Sequence, residues 1–418
     1  MTDAVKAKTA LVVQFGGRRQ YAVPHAIANR YRLAQFYTDI CAGAGAGRMA
    51  PAVAMLTGKR LHMDLTNRRP PENVRCKTTT FASWMIEMRA ALRVGDPLAR
   101  LRKVRAAHDA AARRMCRLGF HGATHLLSQF GEAIPLQCAA RDAGLLVATD
   151  INIAPSTEEI VRREQASFPD WEPPTLYYGQ ILAEGPDWQR PMTRMEAASD
   201  LFFCPSVFVQ QDLIQNFGIA AARTRLVPYA VNPKWFAVEN RPEPGRVLFA
   251  GGVGLRKGIH VLAEAARILR DRKTLCEIVV AGGVDDHLRN RPECGALTFL
   301  GKLAGPQMMA EFARADVFTL PSLAEGSAGV TYEAMGCGIP VITTVESGSV
   351  VRDGIDGCIV PARNAEALAE AIERIIRDRD LRDRMAYAAR LAAMDFIWSR
   401  YQDRLHGALF GAGAQVVG

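Results

Sequence analysis

Two acids, Glu325 and Glu333, stand eight positions apart in EGSAGVTYE, with only small, apolar or hydroxyl-bearing residues between them. A solvated helix face is not built that way, because glycine weakens a helix and nothing between the acids carries charge. The stretch follows an apolar run ending at Leu320. Glu325 therefore falls in a loop beyond a strand, and Glu333 on the helix that this loop opens. Small residues leave room for a ligand, and a helix start presents unbonded N–H groups to negative charge. The pair is expected to read hydroxyl groups on either side of a phosphate cradle: Glu325 on a sugar, Glu333 on a ribose.

A second stretch with chemical potential is RVLFAGGVGLRKG, Arg246 to Gly258. A strand runs into Gly251 and Gly252, Gly254 follows, and Gly258 opens a helix. Glycine lets backbone approach a phosphate closely, and Arg256 and Lys257 add two cations at the same loop. A dinucleotide site would pair such a loop with an acid closing the next strand, but CEIVVAGG offers none before Asp285. Two cations suit a diphosphate. They also suit a glycine turn with solvated charges.

The elements that must position these residues alternate along the whole chain. Strands are expected at Thr9 to Phe15, Leu33 to Tyr37, Ala123 to Leu127, Gly144 to Ala148, Leu201 to Cys204 and Thr224 to Val227. After a proline-rich break, NPKWFAVENRPEP, they resume at Arg246, Glu277, Leu297, Val317 and Val341. Helical stretches separate them, which predicts parallel sheets wrapped by helices. With 418 residues, more than one ordinary core is expected. Two α/β domains in tandem place their ligand at the carboxyl ends of the strands.

Composition excludes several classes. Hydrophobic residues make up 49%, no run is long enough to span a membrane, and the N-terminus lacks a signal-peptide core. The nine cysteines are scattered singly, so thiols are expected rather than disulfides or a zinc cage, and the chain is expected in the cytoplasm. The net charge of +9 is concentrated between Met88 and Phe120. That stretch reads as a solvated helix pair (apolar at Leu98, Leu101, Val104, Met115 and Leu118) or as contact with an anionic membrane leaflet or an acidic acceptor. No nucleic-acid motif accompanies it.

Pro321 to Pro361, PSLAEGSAGVTYEAMGCGIPVITTVESGSVVRDGIDGCIVP, resembles the acid–seven residues–acid region of family-4 retaining glycosyltransferases with the GT-B fold. VLFAGGVGLRKGIHVLAEA is similar to their diphosphate loop, and FLGKLAGPQMMAEFARADVFTLPS to their nucleotide-base region. MEAASDLFFCPSVFVQQDLIQNFG with RLVPYAVNPKWF resembles the end of their acceptor domain, and FIWSRYQDRLHGAL the helix that crosses back. The resemblance implies an acceptor-binding Rossmann-like domain at 1–238, a nucleotide-sugar domain at 239–390 and a C-terminal helix at 391–418.

It further implies that Glu325 meets the donor sugar and Glu333 the ribose, while Lys257, assisted by Arg256, binds the diphosphate. Ala328, Gly329 and Val330 would cap the phosphates, Gly16 and Gly17 would approach from the opposite domain, and Lys302 and Leu303 would sit near the base. Gly252 and Gly254 complete the loop, although many relatives carry an arginine where Gly252 stands. No cofactor or divalent metal is implied. Many members place a histidine beside the reacting sugar; His25, His121, His125 and Asp150 are the candidates. The expected activity is transfer of a sugar from a nucleotide diphosphate to an acceptor hydroxyl, in envelope polysaccharide or glycolipid synthesis. Expected partners are a nucleotide sugar, a glycan or lipid-linked acceptor and the inner membrane face. A nucleotide-sugar epimerase, a non-catalytic GT-B scaffold and a nicotinamide-dependent dehydrogenase are the competing readings.

Overall fold

The computed structural model describes residues 7–39, 41, 68–78, 97–172 and 190–411. The first sheet contains β1 (Ala10–Val13), β2 (Leu33–Thr38), β3 (Cys76–Thr78), β4 (His125–Gln129), β5 (Leu146–Asp150), β6 (Leu201–Cys204) and β7 (Thr224–Leu226). Every pairing is parallel, in the order β3-β2-β1-β4-β5-β6-β7. Around it lie α1 (Ala22–Ala28), α2 (Pro97–Leu118), α3 (Ile134–Asp142), α4 (Thr157–Ser167), α5 (Arg190–Ala198) and α6 (Val207–Phe217).

The second sheet comprises β8 (Arg246–Ala250), β9 (Glu277–Ala281), β10 (Leu297–Gly301), β11 (Val317–Leu320), β12 (Val341–Thr343) and β13 (Gly357–Ile359), all parallel, in the order β10-β9-β8-β11-β12-β13. Its helices are α7 (Ile259–Asp271), α8 (Asp286–Arg289), α9 (Gly305–Arg314), α10 (Gly329–Gly336), α11 (Ala365–Arg377) and α12 (Arg379–Ala393); α13 (Trp398–Phe410) ends the described chain. The result is the two-domain doubly wound α/β architecture expected of the sequence.

Strand alternation builds two cores from one sheet. On one face of the first sheet Ala10 and Val12 pack with α1 and with Tyr401, Leu405 and Leu409 of α13. On the other, Leu11 and Val13 pack with Ala111 and Met115 of α2 and Leu136 of α3. The last helix therefore crosses back to the first domain, where Lys8 Nζ donates to the Phe410 carbonyl at 2.8 Å. The second core gathers β8 to β12 with α7, α10 and α11, and it takes in Val231, Trp235 and Val238 from the connection. The proline-rich break is thus packed against the second domain rather than strung between two bodies.

Some expectations shift on contact with the structure. The basic stretch is described from Pro97 onward as the single helix α2, with Ala111, Ala112 and Met115 buried and Leu118 exposed. Residues 88–96, and the side chains of Leu98, Leu101 and Val104, lie outside what is described. The helix expected at Arg19 begins instead with a 3-10 turn whose residues Arg19, Gln20 and Tyr21 all have positive φ. Strands β3 and β13 and helix α12 carried no clear periodic signal; each is short, glycine-flanked or rich in arginine. Two cysteines, Cys41 and Cys76, meet with their sulfurs 2.9 Å apart.

Candidate functional site

Both sheets reverse direction of growth at their first strand, between β1 and β4 and between β8 and β11. Loops that leave such a strand pair diverge and open a crevice. In the second domain the two diverging loops carry Arg256 and Lys257 after β8, and Glu325 after β11. In the first, the β1 loop carries Gly16 and Gly17.

These loops are tied together. Leu323 N–H donates to the Arg256 carbonyl at 2.8 Å, and Arg256 Nη1 donates to the Ala324 carbonyl at 3.0 Å. Glu325 lies between both cations: Arg256 Nη1 is 2.7 Å from Oε2 and Lys257 Nζ 2.6 Å from Oε1. The Lys257 contact is an ion pair without the direction of a good hydrogen bond, since Oε1 lacks a well-aligned donor among the described residues. A carboxylate bridging two cations offsets one of their two charges and leaves the site net positive.

Glu333, one turn into α10, faces a cavity of about 660 Å³ shared by the two domains. Gly329 lines it beside Glu333; Gly17, Arg19, Gln20 and His25 line it from the first domain; Tyr229, Lys234 and Trp235 come from the connection, and Trp398 and Tyr401 from α13. Burial pushes the Glu333 carboxyl up to about 7, with the Lys234 charge and the Trp235 indole opposing. The indole N–H has no well-directed acceptor among the described residues, so its pull is weak.

The remaining expected residues divide by position. Gly16 N–H donates to Asp39 at 2.8 Å, which fixes the β1 loop. Gly252 is exposed, and a Cβ there would meet open space among the described residues. Gly254 starts the 3-10 turn Leu255–Lys257. Ala328 N–H is committed to the Ser347 carbonyl at 3.0 Å, and α10 opens at the next residue, Gly329. Lys302 and Leu303 follow edge strand β10, two strands from β8, and do not line the shared cavity.

Among the reacting-sugar candidates, His25 lines the cavity and stacks on Trp398 at 5.5 Å. Asp150, at the carboxyl end of β5, pairs with Arg19. His121 and His125 lie at the opposite end of the sheet. There His121 contacts Tyr37 and Lys77, and His125 is buried against Phe410, where burial lowers its pKa to about 4. Asp285 caps α8, and Asp353 and Asp356 bond the turn before β13.

Sequence reading assigned no role to Arg19, Tyr229, Lys234, Trp398 or Tyr401. Their available signal was clustering of aromatic and basic residues in YAVNPKWF and FIWSRY, two short stretches far apart in the chain. Interdomain contacts were equally invisible. Ser206 Oγ donates to the Gly326 carbonyl at 2.5 Å, and a Cβ at Gly326 would sit 2.0 Å from the Asn152 carbonyl. Only glycine allows the two backbones to meet there.

Residues 244–378 match the family model for glycosyl transferases group 1. D-inositol 3-phosphate glycosyltransferase of Paenarthrobacter aurescens (strain TC1) is 28% identical over 211 residues, 45% of this chain and 52% of that protein. Amylovoran biosynthesis glycosyltransferase AmsK of Erwinia amylovora is 29% identical over 221 residues, 48% and 54% of the two chains. The chain thus spans about half the length of these curated relatives. The fold is similar to that of sucrose-phosphate synthase from Thermosynechococcus elongatus, with a TM-score of 0.64 at 17% identity over 95% of this chain and 97% of that one. It is also similar to that of Anabaena Alr3699/HepE in complex with UDP and glucose, with a TM-score of 0.58 at 15% identity over 95% and 98%. With its cations and acids gathered at the switch point of the second sheet, this chain has the GT-B fold and carries, over residues 244–378, a region similar to the group 1 glycosyl transferases.

Proposed function

We propose that this protein transfers a sugar from a nucleoside diphosphate to an acceptor hydroxyl, with retention at the anomeric carbon. The observation that carries this reading is the pairing of Arg256 and Lys257 on one carboxylate, Glu325, in the loops beyond the carboxyl ends of β8 and β11. A diphosphate arriving there replaces Glu325 as the counter-ion of both cations. Glu325 is released toward the sugar, whose hydroxyl groups donate to it, and Glu333 accepts from the ribose. As the bond from the anomeric carbon to the diphosphate breaks, charge grows on the leaving oxygen. Lys257, Arg256 and the amides at the start of α10 are fixed in place to meet it, so little reorganisation is needed during the step.

Retention follows if the acceptor hydroxyl attacks from the face the diphosphate leaves, passing its proton to a phosphate oxygen. The aromatic wall of Tyr229, Trp398 and Tyr401 suits the apolar face of a sugar, so the acceptor is taken as a glycan or glycolipid of envelope polysaccharide synthesis. No helix among the described residues is long and apolar enough to cross a membrane. Contact with an anionic inner leaflet through the arginine-rich α2 is proposed on its charge alone, and co-sedimentation with anionic vesicles tests it.

The decisive experiment is a thermal-shift screen of the full chain against nucleoside diphosphates and their sugars, in the presence of a chelator. A donor that binds only the folded state raises the melting temperature. Failure of every nucleotide to do so, or an unchanged shift in Lys257→Ala, would overturn the reading. Release of nucleotide only when an acceptor is supplied separates transfer from epimerisation.

A further inference from the structure

Residues 151–172 leave the first sheet and dock on the second domain. The root of this strap is fixed to the first domain: Ser156 donates from N and Oγ to Asp212 of α6, at 3.0 and 2.6 Å. Its tip is held by the second. Glu164, almost fully buried on α4, lies 2.7 Å from His260 Nε2 and accepts from Arg363 Nε at 2.6 Å. Phe168 and Trp171 pack on the His260 ring with centroids 4.5 and 5.7 Å away. The Asp170 carbonyl accepts from His287 and Arg291, at 2.7 and 2.6 Å, and Arg291 covers the Trp171 ring.

This clasp delivers Glu172 to the loop between β8 and α7. Glu172 Oε2 accepts the Leu255 N–H at 3.1 Å, while Oε1 accepts from Gln165 Nε2 at 3.1 Å. Leu255 is the first residue of the 3-10 turn that carries Arg256 and Lys257. The first N–H groups of any helical turn have no partner within it, and the side chain of Glu172 supplies one. Gly254 makes the approach possible, because a Cβ there would lie 2.8 Å from Glu172 Oε2. Leu255 itself is completely buried, so the turn is held from below by packing and from outside by this carboxylate.

The geometry points to Glu172 as a positioning residue for the donor loop, contributed by the acceptor-side domain. It fixes the turn from which Arg256 and Lys257 reach a diphosphate without touching that group itself. This role rests on the proposed donor site, and it adds that the first domain sets the aim of the second domain's cations. Charge is not what the contact needs. An uncharged oxygen accepts the same N–H, so glutamine retains the function and alanine loses it. Alanine at position 254 loses it too, by pushing the carboxylate aside.

Inorganic pyrophosphate serves as the probe, since it carries the diphosphate without presupposing a base or a sugar. Calorimetric titration of the full chain is expected to give about tenfold weaker binding in Glu172→Ala and Gly254→Ala, and binding within about twofold of the parent in Glu172→Gln. Amide exchange at Leu255, measured without ligand, is expected to accelerate in the two alanine variants alone, with melting temperatures near that of the parent. Unchanged exchange at Leu255 in Glu172→Ala would overturn the contact. Equal or tighter pyrophosphate binding in Glu172→Ala would overturn its role, as would a Glu172→Gln protein as weak as Glu172→Ala. If the parent itself bound neither pyrophosphate nor any nucleotide, the donor-site reading would fail first, whatever the exchange rates.

Discussion

Glu333 ties the stability of the protein to the chemistry of its cleft. Its carboxyl is pushed up to about 7 by burial on α10, only partly offset by Lys234 and Trp235. An acid whose pKa is raised on folding favours the folded state while it is protonated. That contribution is complete below the unfolded value, near 4.5, and is lost as pH rises through 7. Glutamine at this position has nearly the same shape and does not titrate. Linkage between pKa values of 4.5 and about 7 makes Glu333→Gln more stable than the parent by about 1 kcal/mol at pH 5 and about 3 kcal/mol at pH 8. The difference between the two conditions, about 2 kcal/mol, corresponds to a melting shift of roughly 4–8 °C for a domain of this size. Denaturant unfolding of both proteins at pH 5 and pH 8 measures it. An advantage for Glu333→Gln that is equal at the two pH values would refute the upward shift of this carboxyl on folding. Nucleotide binding should respond in the opposite sense. Ribose hydroxyl groups are better held by the ionised acid, so donor affinity should rise between pH 6 and pH 8 in the parent and stay flat in the variant.

Other consequences follow from the same geometry. Lys257→Ala should lower the turnover of donor by about a hundredfold or more, the usual cost of removing one fixed stabiliser of leaving-group charge, read by steady-state kinetics. Glu325→Gln frees both cations, so a nucleoside diphosphate should bind at least as tightly as in the parent while sugar transfer falls; calorimetry beside an activity assay separates the two. Gly326→Ala drives a Cβ into the Asn152 carbonyl, 2.0 Å away, and should widen the interdomain crevice, a change visible by small-angle scattering. Asp316 is fully buried and pairs with Arg379 and Arg382 at 2.6 and 3.1 Å. Asp316→Ala leaves Arg382 buried without that partner and should cost about 3–5 kcal/mol in denaturant unfolding.

Much of this protein is written locally. Strands such as RVLFA and EIVVA carry continuous apolar runs, VLFA and IVVA, that end at glycines, and β8, β9, β11 and β12 fall where such runs fall. A strand buried on both faces must be apolar throughout, so position along the chain and position in the core carry the same information. Glycine spacing and charge likewise marked the β8 loop, and the two acids marked the β11 loop, because a ligand crevice needs small residues where it opens.

Association of those marked loops with the rest of the chain was decided by the tertiary structure. Nothing local says that Arg256 and Lys257 share Glu325, for the partners lie on loops whose closeness depends on β8 and β11 being neighbours in the sheet. Nor does any local pattern put His25 in the cleft and His121 at the far end of the same sheet. The strap is the clearest case: nothing local joins Glu164, Trp171 and Glu172 to the second domain, yet they bury a carboxylate, pack on His260 and hold the donor turn. Sequence periodicity records which face of an element is covered. It does not record by what, because covering residues are selected by their fit to a surface that exists only once the chain has folded.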